Sequence, residues 1–316
     1  MKRWFCLFFA VLLAALVGCG GAGQVQQPDG TLRVVATIFP LYDFARELGG
    51  EEASVTMLLQ PGAEVHSYEP TPQDILTIQN CDVFLYIGGE SDEWVRNVLA
   101  SVDTSNMQVV ALMDCVQAQE ESHEGIAEAG HDHQEDGEET IEYDEHIWTS
   151  PRNAMRIAEK IAETFCTADA DRAEHYRANA AAYQAQLAAL DTQLRELVSG
   201  AERNLLVFAD RFPFLYLARD YGLTYYAAYP GCAQEAEPSA ATVAFLIEKV
   251  KETDTHTVFY IELSNGLMAD TIAEATGAQK LLLHSCQNVT RDEFERGESY
   301  LSLMRQNLRN LQTALN

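Results

Sequence analysis

The strongest constraint on the fold is the arrangement of short apolar runs along the 316-residue chain. Eight runs rich in β-branched and aromatic residues fall into two sets of four, with helical stretches between them. Each run is almost uniformly apolar, which is typical of parallel strands covered on both faces. The sequence therefore predicts an α/β fold with two lobes, each built on a mostly parallel four-stranded sheet. The predicted strands are Arg33–Ile38, Val55–Leu59, Val83–Ile87, Val109–Leu112, Leu205–Phe208, Thr224–Ala228, Thr257–Ile261 and Lys280–Leu283.

One long helix is predicted between the two sets of strands, at residues 171–199. Its large apolar side chains recur three, four or seven residues apart, which places them on one helical face. These side chains are Tyr176, Tyr183, Leu187, Leu190, Leu194 and Leu197. A helix of this length measures about 40 Å, enough to run along two packed lobes. The seam of a coiled-coil dimer is the alternative. The two matched halves instead favour one rigid helix that joins lobes at 32–170 and 200–316 in a monomer.

The N-terminus has the pattern of an export signal. A short basic start precedes an uninterrupted apolar core, which is typical of a secretory signal peptide. The ending Leu16-Val17-Gly18-Cys19 resembles a bacterial lipobox, in which Cys19 receives a lipid; an ordinary signal peptide is the alternative. We therefore expect a lipoprotein signal peptide at 1–18 and a flexible tether at 19–31. The protein would then be extracytoplasmic and anchored to the cell membrane by lipid.

The charge balance excludes one class of partner. The chain carries 21 Lys and Arg against 48 Asp and Glu, a formal net charge of −27. This excess repels phosphate backbones, so we expect no nucleic-acid partner. A quarter of the acidic residues, 12 of 48, lie in residues 117–145, which contain few large apolar groups and are predicted to form a solvated loop. The loop histidines His123, His131 and His133 could hold a divalent cation weakly, or the loop could be only a variable linker.

Histidines follow predicted strands in both halves. His66 follows the second strand, His146 follows the fourth strand and the acidic loop, and His284 ends the eighth strand. Open α/β sheets bind ligands beyond the carboxyl ends of their strands, so these side chains are predicted to face one region. Three imidazoles with a carboxylate suit Zn(II), and suit Mn(II) less well.

Two cysteines also lie just beyond strand ends. Cys232 follows the sixth predicted strand, and Cys286 comes two residues after His284. Outside the cell such thiols can form a disulfide, which we expect here. Two separate thiols, or thiolate binding of zinc, are the alternatives.

Four strings of the sequence are informative together: "PGAEVHSYEPTPQD", "DEHIWTSPRNA", "EATGAQ" and "SYLSLMRQNL". They resemble the metal-binding lipoproteins of zinc and manganese ABC importers. The resemblance implies two α/β lobes joined by one long helix, with a single metal ion between them. It also implies delivery of that metal to an ABC permease and its ATPase. The acidic loop with histidines resembles that of the zinc-specific members.

The resemblance also implies a set of ligands. His66 and His146 occupy ligand positions in the first two strings. The third ligand position falls on Arg211, which stays protonated and cannot bind a metal. The fourth position, usually Asp, is occupied by His284. We therefore expect His284 to supply the third imidazole and Asp210 the carboxylate.

The expected function is that of a lipid-anchored binding protein that captures Zn(II) between two lobes and delivers it to an ABC permease. No HExxH, GxSxG or phosphate-loop motif occurs, so the chain is not expected to be an enzyme. The alternatives are a secreted zinc-dependent hydrolase and a manganese-specific binding protein of the same architecture.

Overall fold

The computed structural model describes residues 30–127, 142–233 and 239–316, which form two parallel sheets. The first sheet has the strand order β2-β1-β3-β4 and the second has the order β6-β5-β7-β8. All eight predicted strands are present, and the predicted fold class is confirmed. The predicted signal peptide, the predicted lipidation residue Cys19 and the predicted tether up to residue 29 lie outside the described residues. The strands are β1 Leu32–Ala36, β2 Ala53–Met57, β3 Val83–Tyr86, β4 Gln108–Ala111, β5 Leu205–Phe212, β6 Thr224–Pro230, β7 Thr257–Tyr260 and β8 Gln279–Leu282.

Helices cover both faces of each sheet, which explains the uniformly apolar strands. In β1 the neighbouring residues Val34 and Val35 point to opposite faces and belong to two different buried cores. In β5, Val207 and Phe208 divide in the same way. The helices are α1 Phe39–Gly49, α2 Pro72–Gln79, α3 Glu93–Leu99, α4 Pro151–Ala168, α5 Ala173–Gly200, α6 Leu215–Tyr221, α7 Ala240–Glu252, α8 Leu267–Thr276, α9 Arg291–Glu295 and α10 Tyr300–Leu315. Among the described residues, none of the helices is both long and apolar enough to cross a membrane.

Helix α5 is the predicted long helix. Five of its six stripe residues are buried, and Leu197 is partly buried. The stripe packs against α1 and α4 of the first half and against the C-terminal helix α10. One apolar core therefore continues from the first sheet to the second. The apolar stripe is thus used inside the chain rather than as a dimer seam.

Part of the acidic loop packs against the second lobe. Ile126 forms a parallel bridge with Ala227 of β6. The backbone N–H of Ala127 donates to the Ala227 carbonyl at 2.9 Å, and the Ala227 N–H donates to the Gly125 carbonyl at 3.0 Å. The prediction that residues 117–145 form a wholly solvated loop is therefore wrong for residues 125–127, and also for Asp144 and Glu145, which are buried. For residues 125–127 the physical reason is that β6 is an edge strand, whose outer backbone groups gain partners from this segment.

The predicted disulfide between Cys232 and Cys286 is also wrong. All five cysteines of the described residues are free thiols. Cys232 follows β6 and Cys286 follows β8, which are the two opposite edges of the second sheet. Strands three places apart are separated by roughly 14 Å. A disulfide requires Cα atoms within about 7 Å.

Candidate metal centre

Three potential metal ligands lie together at the carboxyl end of the first sheet. His66, Glu145 and His146 each offer a ligand atom, and these atoms lie within 4.8 Å of one another. His66 is in the loop between β2 and α2, and the other two residues precede the short turn Ile147–Thr149 that leads into α4. Glu145 is 3% exposed and His146 is fully buried. The structure thus brings together two of the predicted ligands and one residue that was not predicted.

The imidazole of His146 is oriented by Asp144. One carboxylate oxygen of Asp144 accepts the backbone N–H of His146 at 2.8 Å and lies 3.1 Å from Nδ1 of the ring. The Nε2 atom is buried and has no hydrogen-bond partner among the described residues. A buried imidazole nitrogen without a partner is costly unless something binds it. Nε2 of His146 is therefore suited to bind a metal.

The segment that carries His146 is also held from the second lobe. The Tyr216 hydroxyl donates to the Asp144 carbonyl at 2.7 Å. The indole N–H of Trp148 donates to the Ser285 carbonyl at 2.7 Å. Trp148 is fully buried. These contacts connect the position of His146 to the packing of both lobes.

His66 and Glu145 are connected through Ser91. The Ser91 hydroxyl donates to Oε1 of Glu145 and lies 3.1 Å from Nδ1 of His66. The Ser91 backbone N–H donates to the second Glu145 oxygen at 3.0 Å. Gly89 makes room for this arrangement, because a Cβ atom there would lie 2.4 Å from the Glu145 carboxylate.

The two histidines have opposite pKa shifts. Burial lowers the pKa of His66 by more than the Glu145 carboxylate raises it. Burial would also lower the pKa of His146, but Asp144 and the Cys232 thiol outweigh it and raise the pKa well above the usual value. At neutral pH His66 is therefore neutral, whereas His146 must release a proton before it can bind a metal.

The predicted ligands His284 and Asp210 do not join this group. Nδ1 of His284 accepts the Cys286 backbone N–H at 2.9 Å, and Nε2 lies 3.9 Å from Glu293. Oδ1 of Asp210 accepts the Arg211 backbone N–H at 2.9 Å. Nδ1 of His284 and Oδ1 of Asp210 each accept a backbone N–H of their own lobe. Nε2 of His284 is buried without a hydrogen-bond partner among the described residues, as Nε2 of His146 is. Of the four predicted ligands, the structure brings together His66 and His146, whereas His284 and Asp210 lie outside this group.

The matches with known proteins agree with this architecture. The model of the periplasmic zinc-uptake complex component A family, ZnuA, matches residues 34–314. The chain belongs to this family.

Two relatives extend the ZnuA match. The zinc-binding lipoprotein AdcA of Streptococcus pneumoniae is 33% identical over 312 residues, covering 98% of this chain and 60% of AdcA. The high-affinity zinc uptake system protein ZnuA of Bacillus subtilis is 30% identical, covering 99% of this chain and 98% of the relative. This chain thus spans about 60% of the length of AdcA. The names of both relatives describe zinc binding or uptake, which agrees with the prediction that this member of the family is not an enzyme.

Two solved structures share the fold. The Zn(II)-bound ZnuA-like domain of Streptococcus pneumoniae AdcA superposes with a TM-score of 0.74 at 29% identity, covering 90% of this chain and 99% of that domain. The metal-dependent lipoprotein YcdH of Bacillus subtilis gives a TM-score of 0.76 at 29% identity, with the same coverage.

In this ZnuA-family chain, Arg211 lies across a cavity from the loop that carries His66. Its guanidinium is 3.4 Å from the Glu64 carboxylate, which belongs to the first lobe. The cavity has a volume of about 560 Å³ and is lined by Glu64 and Val65 on one side and by Asp210 and Arg211 on the other. It therefore borders the metal-binding loop and the strand ends of the second lobe.

Sequence reasoning missed Glu145 and Ser91. Glu145 could have been noticed as the residue directly before His146 in the string "DEHIWTSPRNA". Ser91 carries no recognisable local signal and joins the site because β3 ends beside the His66 loop. Cys232, predicted to be in a disulfide, instead places its thiol beside the His146 ring, and burial raises its pKa to about 11.

Of the acidic-loop histidines, the structure describes His123, which is not a member of this group. His131 and His133 lie outside the described residues.

Proposed function

We propose that this protein captures Zn(II) outside the cytoplasm and delivers it to an ABC permease and its ATPase. One observation carries the proposal: His66 and His146 meet beside Glu145, and Nε2 of His146 is buried without a partner among the described residues. The names of the AdcA and ZnuA relatives support it. A lipid on Cys19 would keep the protein beside its permease.

The chemistry of the site favours zinc over manganese. Imidazole nitrogen is a good ligand for Zn(II), whereas Mn(II) prefers oxygen. The carboxylates of Asp144 and Glu145 offset the charge of a bound divalent cation. Two imidazoles leave coordination positions for water or for a group of the second lobe. When the metal-free protein is offered Zn(II) and Mn(II) together, it should therefore bind Zn(II).

The central test removes both imidazoles. His66→Ala combined with His146→Ala should abolish tight zinc binding and the zinc-induced rise in melting temperature. Zinc at about 1,000 times its Kd stabilises a native protein by about 4 kcal/mol, and the double variant should lose this increment. The matched control is His175→Ala with His256→Ala, since both side chains are exposed and lie outside the group. If the double variant kept the full zinc-induced rise in melting temperature, the assignment of His66 and His146 as zinc ligands would be wrong.

Delivery and anchoring require a test in cells. In cells that lack their own zinc-binding protein, the wild-type gene should restore zinc uptake and growth under zinc limitation. The gene with His66→Ala and His146→Ala should not. Cys19→Ser should release the protein from the membrane fraction. Zinc-dependent hydrolytic turnover without any effect on uptake would favour the rival hydrolase.

A further inference from the structure

We propose that Ser91 is a positioning residue that selects the tautomer of His66 and so leaves Nε2 of His66 available to the metal. The inference rests on the proposed function, because it explains how one ligand of the zinc site is prepared. It also assigns a role to Glu145, which acts through Ser91 rather than as a direct ligand.

The hydrogen bonds around Ser91 determine the direction of each proton. Glu145 accepts the Ser91 backbone N–H at one oxygen and the Ser91 hydroxyl at the other. A hydroxyl has a single proton, and here Glu145 accepts it. The Ser91 oxygen can therefore only accept from Nδ1 of His66, which lies 3.1 Å away. Nδ1 of His66 then carries the ring proton, and Nε2 keeps its lone pair.

At His146 the proton on Nδ1 is held by a shorter route, so the proton that a metal displaces is the one on Nε2. There the Asp144 carboxylate contacts Nδ1 directly, and Nε2 has no partner among the described residues. Metal-binding histidines usually donate their second nitrogen to an acceptor, which determines the tautomer and the ring orientation. At His66 the acceptor is a hydroxyl that is itself held by a carboxylate. The two imidazoles are thus prepared by different partners for the same task.

The surroundings hold Ser91 in this geometry. The turn Glu90–Asp92 that carries it follows β3, and the Asp92 carboxylate accepts the backbone N–H groups of Ile87 at 2.7 Å and Gly88 at 3.1 Å. On the other side, Gly89 packs directly against Glu145. The Ser91 hydroxyl therefore has little freedom to choose other partners.

The experiment combines imidazole NMR with zinc affinity. ¹⁵N-labelled histidine reports the tautomer of His66 in the metal-free protein, and competition with a chelator reports the Kd. The wild type should show the Nδ1–H tautomer. Ser91→Ala should populate the Nε2–H tautomer and weaken zinc binding by roughly 10- to 100-fold, as for other outer partners of metal ligands. Ser91→Thr, which keeps the hydroxyl, should restore both the tautomer and the affinity.

A second variant separates the two possible roles of Glu145. In Glu145→Ala the Ser91 hydroxyl loses its acceptor and can donate to Nδ1 of His66, so the Nε2–H tautomer should predominate. A direct ligand role for Glu145 would instead lower zinc affinity without changing the tautomer, and would overturn the inference. Ser101→Ala is the control, because it removes a hydroxyl that donates to the Val98 carbonyl at the end of α3.

The outcomes distinguish this inference from the proposed function. If Ser91→Ala kept the wild-type tautomer or the wild-type zinc affinity, the role of Ser91 would be refuted. The function would still stand as long as the variant without His66 and His146 lost tight zinc binding. If neither the Ser91 variants nor the variant without His66 and His146 lost zinc binding, both the role of Ser91 and the proposed function would be refuted.

Discussion

Replacing Asp144 by Asn should change how zinc affinity depends on pH. In the native protein the pKa of His146 is raised, so at neutral pH each zinc ion must displace one proton from this ring. His66 contributes no proton, because burial lowers its pKa. The wild-type affinity should therefore fall about tenfold for each unit by which the pH is lowered through the neutral range.

The Asp144→Asn variant would retain a side-chain oxygen for the His146 backbone N–H but would lose the negative charge. Burial should then outweigh the remaining contribution of the Cys232 thiol at His146, so we expect the pKa of His146 to fall below the usual value. Zinc no longer displaces a proton near neutral pH, so the affinity of the variant should be nearly independent of pH. At high pH the variant should bind zinc more weakly than the wild type, by roughly 10- to 100-fold, since the partner of the ligand is no longer charged. The two affinity curves should converge as the pH falls.

The assay is chelator competition at a series of pH values, with correction for the protonation of the chelator. Asp103→Asn is the control, because Asp103 is exposed and accepts only local hydrogen bonds from Ser105. Equal slopes for the wild type and Asp144→Asn would refute the reasoning. They would mean that Asp144 does not set the protonation of His146.

Two further predictions concern Trp148, which contacts the second lobe, and the acidic loop. Trp148→Phe removes the indole N–H that reaches the Ser285 carbonyl, and should lower the free energy of unfolding by about 1–3 kcal/mol, measured by denaturant titration. Deleting residues 128–141 removes His131 and His133, and should abolish weak zinc sites in a calorimetric titration. The tight site should be spared, because residues 119–127 keep their contacts with the second lobe.

Each of these predictions has a direct check. Trp94→Phe is the control for Trp148→Phe, since Trp94 is only partly buried on the first lobe. An equal cost for the two substitutions would show that the bond to Ser285 adds nothing. If the protein without residues 128–141 no longer bound one zinc ion tightly, the acidic loop would form part of the main site.

Much of the fold could be predicted because its signals are local. Uniform apolar runs such as β1 and β5 require cover on both faces, and this alone indicates parallel sheets between helices. The stripe of α5 has the helical period, and the same residues are buried in the structure. This periodicity depends on the geometry of the helical backbone, and not on residues that are distant in the sequence.

The site could be predicted only where residues stand next to recognisable local features. His66 and His146 follow strands and lie in specific strings, and the structure brings them together. His284 also follows a strand, yet its ring contacts Cys286 and Glu293 of its own lobe. A position at a strand end does not say which side chain turns towards the cleft.

The two parallel sheets, the long helix between them and the two histidines can be predicted from local patterns in the sequence. The groups that surround those histidines depend on the tertiary fold. Ser91 contacts His66, 25 residues away in the sequence, because both residues lie beyond the carboxyl ends of strands in the first sheet. Cys232 and Cys286 remain apart because the order of strands puts β6 and β8 at opposite edges. Such relations depend on how strands are ordered in space, and periodicity along the chain carries no record of that order.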